Sequence, residues 1–223
     1  MATRDYHQRA FELPAGATEI VLVRHGASEP AVAGRSFPPL DGHGDPALAP
    51  EGEAQAERVA ERLAGERLSG LFVTGLRRTL QTVAPLAART GLEPVTVPEL
   101  REVRLGEWEG GEFRIRMAEG DPVALRAVAE ERWDVIPGAE TMEALAARVR
   151  ASIDAVVASA GPGRVAAVLH GGIIGEICRQ ATGSRPFAFV HSDNGSLTRL
   201  VVFGPDRWLL RSFNDTAHLA EGS

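Results

Sequence analysis

Two short runs of branched apolar residues, Ile20-Val21-Leu22-Val23 and Val165-Ala166-Ala167-Val168-Leu169, constrain this chain more than any other feature. Runs of this length that are apolar at every position read as strands buried on both faces, in a parallel sheet with helices on each side. Each run ends at a histidine-glycine pair. Arg24 separates the first from His25-Gly26, and His170-Gly171 follows the second directly. Open α/β sheets place their ligand sites at the carboxyl ends of strands. Two imidazoles delivered in this way, far apart in sequence, imply one site built from both.

The remaining pattern alternates strand with helix. The first strand runs from about Glu19 to Arg24. A long Gly-, Pro- and Asp-rich loop, Ser28 to Pro50, then precedes an amphipathic helix from Glu51 to Leu68. Leu71-Phe72-Val73 reads as a short strand, Leu76 to Thr90 as a helix interrupted at Pro85, and Val95 to Val97 as a further strand. Arg101 to Trp108 reads as an extended polar segment leading to a helical region, Asp121 to Trp133. Thr141 to Ala160 and Ile173 to Ala181 read as helices, and Thr198–Phe203 with Trp208–Phe213 as a hairpin about Gly204-Pro205-Asp206. The expected fold is α/β: a three-layer sandwich with a mostly parallel central sheet, helices on both faces and an antiparallel edge hairpin. Residues 1–17 read as an N-terminal extension and residues 18–223 as one domain. The hairpin edge could pair two copies into a homodimer.

Composition excludes several partners. The 223 residues carry a formal charge of −6, which argues against nucleic acid or an anionic membrane surface. Any phosphate site must then be a local concentration of arginine. No apolar run has the length of a bilayer span, and the single Cys178 excludes an internal disulfide. A cytoplasmic protein is the plain expectation. There is no His-Glu-x-x-His and no cysteine pair, so neither metal nor cofactor is expected.

A third strand end belongs with the two histidines. Thr74-Gly75-Leu76-Arg77-Arg78-Thr79 follows Leu71–Val73 and sets arginine at a helix start, where the macrodipole favours anions. Arginine there makes sense if an oxyanion binds to it and to the backbone donors of the helix start. Arg24 would supply a second fork, giving two arginines and two imidazoles around one phosphate.

The chain resembles the histidine phosphatase superfamily, which includes the cofactor-dependent phosphoglycerate mutases. Val23-Arg24-His25-Gly26-Ala27-Ser28 is similar to its Arg-His-Gly signature. Asp45 to Gly52 with Gln55-Ala56, Leu76-Arg77-Arg78-Thr79 with Gln81-Thr82, Leu100 to Gly110, Pro137 to Thr141 and Leu169 to Gly172 are similar to its later segments, in order. The resemblance spans roughly residues 19–216. It implies His25 as the nucleophile that takes the phosphoryl group, His170 as a donor to the phosphoryl oxygens, and Glu102 as acid and then base. Arg24 and Arg78 would bind the phosphate, with Ser28 and Gly171 as further phosphate-binding candidates.

Two positions depart from the family pattern. Ala31 stands where many relatives carry a phosphate-contacting asparagine, so Arg35, Ser28 or His43 is expected to supply a donor. Thr74-Gly75 replaces a common Ser-Asp and keeps only the hydroxyl. Glu99, Glu107 and Glu109 read as structural or solvated, Arg77, Arg101 and Arg104 as surface residues, and His7 and His218 as without function, with His191 open. The segments after Glu102 and His170, Gly106 to Gly110 and Gly171 to Gly175, resemble the phosphatase branch. A phosphomonoester hydrolase of a small phosphorylated metabolite is therefore expected, with a phosphoglycerate mutase and a non-catalytic phosphate-binding module as alternatives.

Overall fold

Strand period explains how the sheet is covered. In a computed structural model, which describes residues 6–220, β1 (Thr18–Arg24) turns Ile20 and Leu22 to one face and Val21 and Val23 to the other. β6 (Gly163–Leu169) divides likewise, with Val165, Ala167 and Leu169 on the first face and Ala166 and Val168 on the second. Such strands bury both faces, so two helical layers are required. α1 (Pro50–Ala64) and α2 (Arg77–Thr90) cover one face through Val59, Leu63, Val83 and Leu86. α5 (Met142–Ala160) and α6 (Gly171–Thr182) cover the other through Leu145, Val149, Ile153, Ile173 and Ile177. The expected three-layer α/β sandwich is the observed one.

The main sheet also contains β4 (Leu71–Val73), β5 (Pro94–Thr96), β7 (Leu197–Gly204) and β8 (Arg207–Asp215), in the order β5-β4-β6-β1-β7-β8. The ladders β5/β4, β4/β6 and β6/β1 are parallel, whereas β7 runs antiparallel to β1 and to the edge strand β8. Register then positions the site. Arg24 pairs with Leu169, so the residues that follow, His25 and His170, emerge side by side. Val73 pairs with Val168, which brings Thr74 to the other flank of His170.

Several boundaries differ from expectation. α1 ends at Ala64 with Gly65 as its cap, four residues before Leu68. α2 continues through Pro85 without interruption, with the neighbouring Val83 and Leu86 held in the core. The long loop contains a two-stranded ribbon, β2 (Pro39–Leu40) and β3 (His43–Gly44). The region after Trp108 holds two helices, the unexpected α3 (Glu112–Glu119) and α4 (Pro122–Glu130). Trp108, Ala124 and Ile136 form a small core of their own beneath them, joined by Phe113 and Trp133. Of the expected extension, residues 1–5 lie outside the described residues. Its later part places Phe11 under the Arg211 guanidinium of β8, 3.7 Å from the ring centre. Among the described residues no helix is long and apolar enough to cross a membrane.

Candidate active site

His25 is fixed by backbone contacts before any charge acts on it. Its amide donates to Leu169 O at 3.0 Å, and its carbonyl accepts from the Asn194 side-chain amide at 2.8 Å. Nδ1 lies 2.7 Å from Gly26 O. A carbonyl only accepts, so Nδ1 carries the proton and Nε2 keeps the lone pair. Arg78 Nε donates to that Nε2 at 3.3 Å. The ring is buried, and burial first, then the Arg78 charge, hold it well below its ordinary value of 6.5. The imidazole is therefore neutral, with its one ring lone pair on Nε2, where it accepts from Arg78 Nε.

His170 stands across from it, with ring centres 5.2 Å apart and planes at 63°. Its Nε2 lies 3.0 Å from Thr74 Oγ1, which lies 3.2 Å from Thr79 Oγ1. Thr79 donates to Leu76 O at 2.8 Å, so the hydroxyl chain runs one way and His170 Nε2 is the donor at its head. Nδ1 then carries the lone pair and has no partner. Burial first and Arg78 next keep this ring, too, neutral.

Arg78 is held from the opposite side, donating from Nη1 to Gly44 O at 3.0 Å with Asp45 at 3.9 Å. Arg24 is fastened through Nη1 to Ser192 O, while its buried Nε has no partner. Burial lowers both guanidinium values, and Glu102 opposes that effect in both. Glu102 is anchored by its own carboxylate: Oε1 accepts from Val103 N at 2.9 Å and Oε2 from Gly172 N at 3.3 Å, at the start of α6. Only glycine leaves this room, because a Cβ at Gly172 would lie 2.6 Å from Glu102 Oε1. His25, Arg24, Arg78 and Glu102 open together onto a cavity of about 260 Å³.

This arrangement coincides with what comparison with known proteins finds. A family profile described as the histidine phosphatase superfamily (branch 1) matches residues 20–216. The chain belongs to that superfamily. It is 32% identical over 209 residues to phosphoglycerate mutase-like protein 4 of Arabidopsis thaliana, across 91% of this chain and 87% of that one. It is 31% identical over 212 residues to the metal-independent phosphoserine phosphatase of the same plant, across 91% and 84%. Among solved structures it resembles a mycobacterial glucosyl-3-phosphoglycerate phosphatase with a TM-score of 0.73 and 28% identity, covering 90% of this chain and 100% of the other.

Within this histidine phosphatase the other expected residues fall in different places. Gly171 lies beside Arg24, where a Cβ would stand in ordinary contact 3.4 Å from its Nε, and it does not line the cavity. Ser28 is taken up by Arg114, whose Nη2 donates to its Oγ at 2.8 Å, and it does not line the cavity. Arg35 is exposed on the turn from Val32 and is not brought to the clamp. His43 does reach the cavity wall, buried, with Nε2 donating to Glu102 O at 3.1 Å. The first amide of α2 is already taken: Arg77 N donates to Asp45 Oδ1 at 2.7 Å, so Asp45 is an anion at that helix end. Glu109 is structural as expected, accepting from Gly44 N and Leu105 N, each at 2.9 Å. Arg101 is not a free surface residue, since it joins Thr74 O to Asp41.

Three contributors escape sequence reasoning. Arg114, at the cavity mouth on α3, follows the Gly110-Gly111 turn, and its spacing from Arg116 looks like an ordinary exposed helix face. Asn194 hides in a polar turn, Asp193-Asn194-Gly195. Arg148, on α5, donates to the carbonyls of Glu99, Arg101 and Glu102 and so fixes the segment that bears the carboxylate. A buried-facing arginine amid alanines was the only signal for it. Among the described residues no three His, Cys, Asp or Glu side chains gather into a group that could hold a metal.

Proposed function

We propose that this protein is a phosphomonoester hydrolase that works through a phosphohistidine on His25. The observation that carries the reading is the unprotonated Nε2 of His25, set against Arg78 Nε at 3.3 Å and opening onto the cavity that also presents Arg24 and Glu102. In the first step Nε2 bonds to phosphorus as the ester P–O bond breaks, and Glu102, entering as the carboxylic acid, protonates the leaving alkoxide. Arg24 and Arg78 clamp the equatorial oxygens, where charge accumulates. His170 is anchored through Nε2 on Thr74, and its unpartnered Nδ1 becomes a donor to the phosphoryl oxygens only when the bound dianion brings a proton to it. In the second step water attacks phosphorus, the Glu102 carboxylate takes its proton, the P–N bond breaks and phosphate leaves. Both histidines and the acid are then restored.

Relatives carry both phosphatase and mutase names, and the segments after Glu102 and His170 support hydrolysis over mutase chemistry. A metal-independent reaction in a cytoplasmic setting belongs to the same proposal, supported by the arginine clamp and by a single, buried cysteine. Release of phosphate from a panel of monoesters, lost in His25→Ala, is the expected result. No release from any ester, or equal release by His25→Ala, would overturn it. Conversion of phosphoglycerate between its isomers, primed by bisphosphoglycerate and faster than release, would establish the mutase instead.

A further inference from the structure

We propose that the apolar side of the cavity, distinct from the Arg24 and Arg78 clamp, is a leaving-group pocket for a neutral alcohol with a flat apolar body. The substrates would then be phosphomonoesters of aromatic or similarly planar alcohols rather than of hydroxy acids. The inference rests on the phosphomonoesterase reading and names its substrate class.

Two walls of one cavity carry the argument. The clamp forms one. The other is made by Phe37, Val103, Leu105, Trp108, Phe113 and Trp133. Three of the aromatic members form a continuous array, with ring centres 6.3 Å apart for Trp108 and Phe113 and 5.9 Å for Phe113 and Trp133, and Trp133 is backed by Phe187 at 4.6 Å. The array is built into the fold, because Trp108 packs with Ala124 and Ile136 in the small core under α3 and α4. Gly110 and Gly111 turn through positive φ to bring Phe37 onto this wall; a Cβ at Gly111 would stand 3.0 Å from its ring. Preformed apolar walls with a few convergent polar groups are the usual build of small-molecule sites. Flat rings suit such an array better than branched polyols do.

Charge argues the same way. With Glu102 in the acid form that the first step needs, the lining sets Arg24, Arg78 and Arg114 against Glu109, a formal charge of two positive units. A phosphate dianion balances that. A second acid group would enter with no cation left to match it, and Arg114 already donates to Ser28 Oγ and Glu29 O. A neutral ring meets no such obstacle.

Binding of three phosphonates that cannot be hydrolysed tests this without turnover: methylphosphonate, phosphonoacetate and benzylphosphonate, titrated into the full chain by calorimetry. Benzylphosphonate is expected to bind about tenfold or more tightly than either of the others, the gain from burying a ring. In Phe37→Ala, on a partly exposed loop, that ratio is expected to shrink severalfold. Equal binding of the three, or tightest binding of phosphonoacetate, would overturn the proposal. Phosphate release from benzyl phosphate is followed separately. If the binding order holds and no ester is cleaved, the pocket assignment stands and the catalytic reading falls.

Discussion

Replacing Gly172 with alanine separates a catalytic role for Glu102 from a structural one. Gly172 has no positive φ, so alanine is permitted by the backbone and gains up to about 1 kcal/mol of helix propensity over glycine. The new Cβ would stand 2.6 Å from Glu102 Oε1 and 2.7 Å from Val103 Cγ2, where ordinary contact begins near 3.4 Å. Something must retreat by the difference, about 0.8 Å, and the carboxylate, at the flexible end of its side chain, yields first. Its hydrogen bond from Gly172 N, already 3.3 Å long, goes with it. A displacement near 1 Å in a positioned reacting group costs on the order of 100-fold in rate. The Val103 contact offsets the propensity gain, so stability should stay within about 1 kcal/mol of the wild type. The assay is kcat for phosphate release beside a thermal melt, with Gly65→Ala, which meets nothing within 4 Å, as control. A Gly172→Ala enzyme within threefold of wild-type kcat would refute the reasoning.

Further outcomes follow from the same contacts. Arg78→Lys keeps the charge but cannot both donate through Nε to His25 and reach Gly44 O, and kcat/KM should fall about 100-fold or more. Thr74→Val removes the acceptor of His170 Nε2, and urea denaturation should show a loss of about 1–3 kcal/mol for the stranded buried donor. Stability should also fall with acid. Both site histidines are held below the 6.5 of the unfolded chain, so above pH 6.5 they are neutral in either state and their contribution is complete. Below it the unfolded chain takes up protons that the folded one refuses, at a cost of up to about 1.4 kcal/mol per pH unit for each histidine. The loss ends once the folded imidazoles themselves protonate. Denaturation series between pH 7.5 and pH 5 should show this slope, and His170→Gln should reduce it.

The sheet was legible because β1 and β6 owe their form to local sequence: unbroken apolar runs admit few other readings. The histidine-glycine pairs could be read as neighbours because parallel strands end at a common edge. What the sequence hid is held by distant contacts. β2 and β3 have two residues each and are held by bonds to the segment after Leu100, from His43 to Glu102 O and from Gly44 N to Glu109. α3 buries no residue fully and so has no apolar stripe to betray it. Arginine at the head of α2 read as the sign of a bound oxyanion, but the first helix amide, Arg77 N, faces Asp45, a residue more than thirty positions earlier. Arg35, expected near the clamp, turns out exposed, whereas Arg114 reaches the cavity mouth from a helix the pattern did not contain.

The central claim is a covalent phosphoryl group on His25. Rapid quenching during turnover of a radiolabelled phosphomonoester tests it most directly, followed by digestion and location of the label. An acid-labile, base-stable label on the peptide bearing His25, absent in His25→Ala, is the predicted result. Turnover with no labelled protein, or label found on His170 instead, would contradict the account.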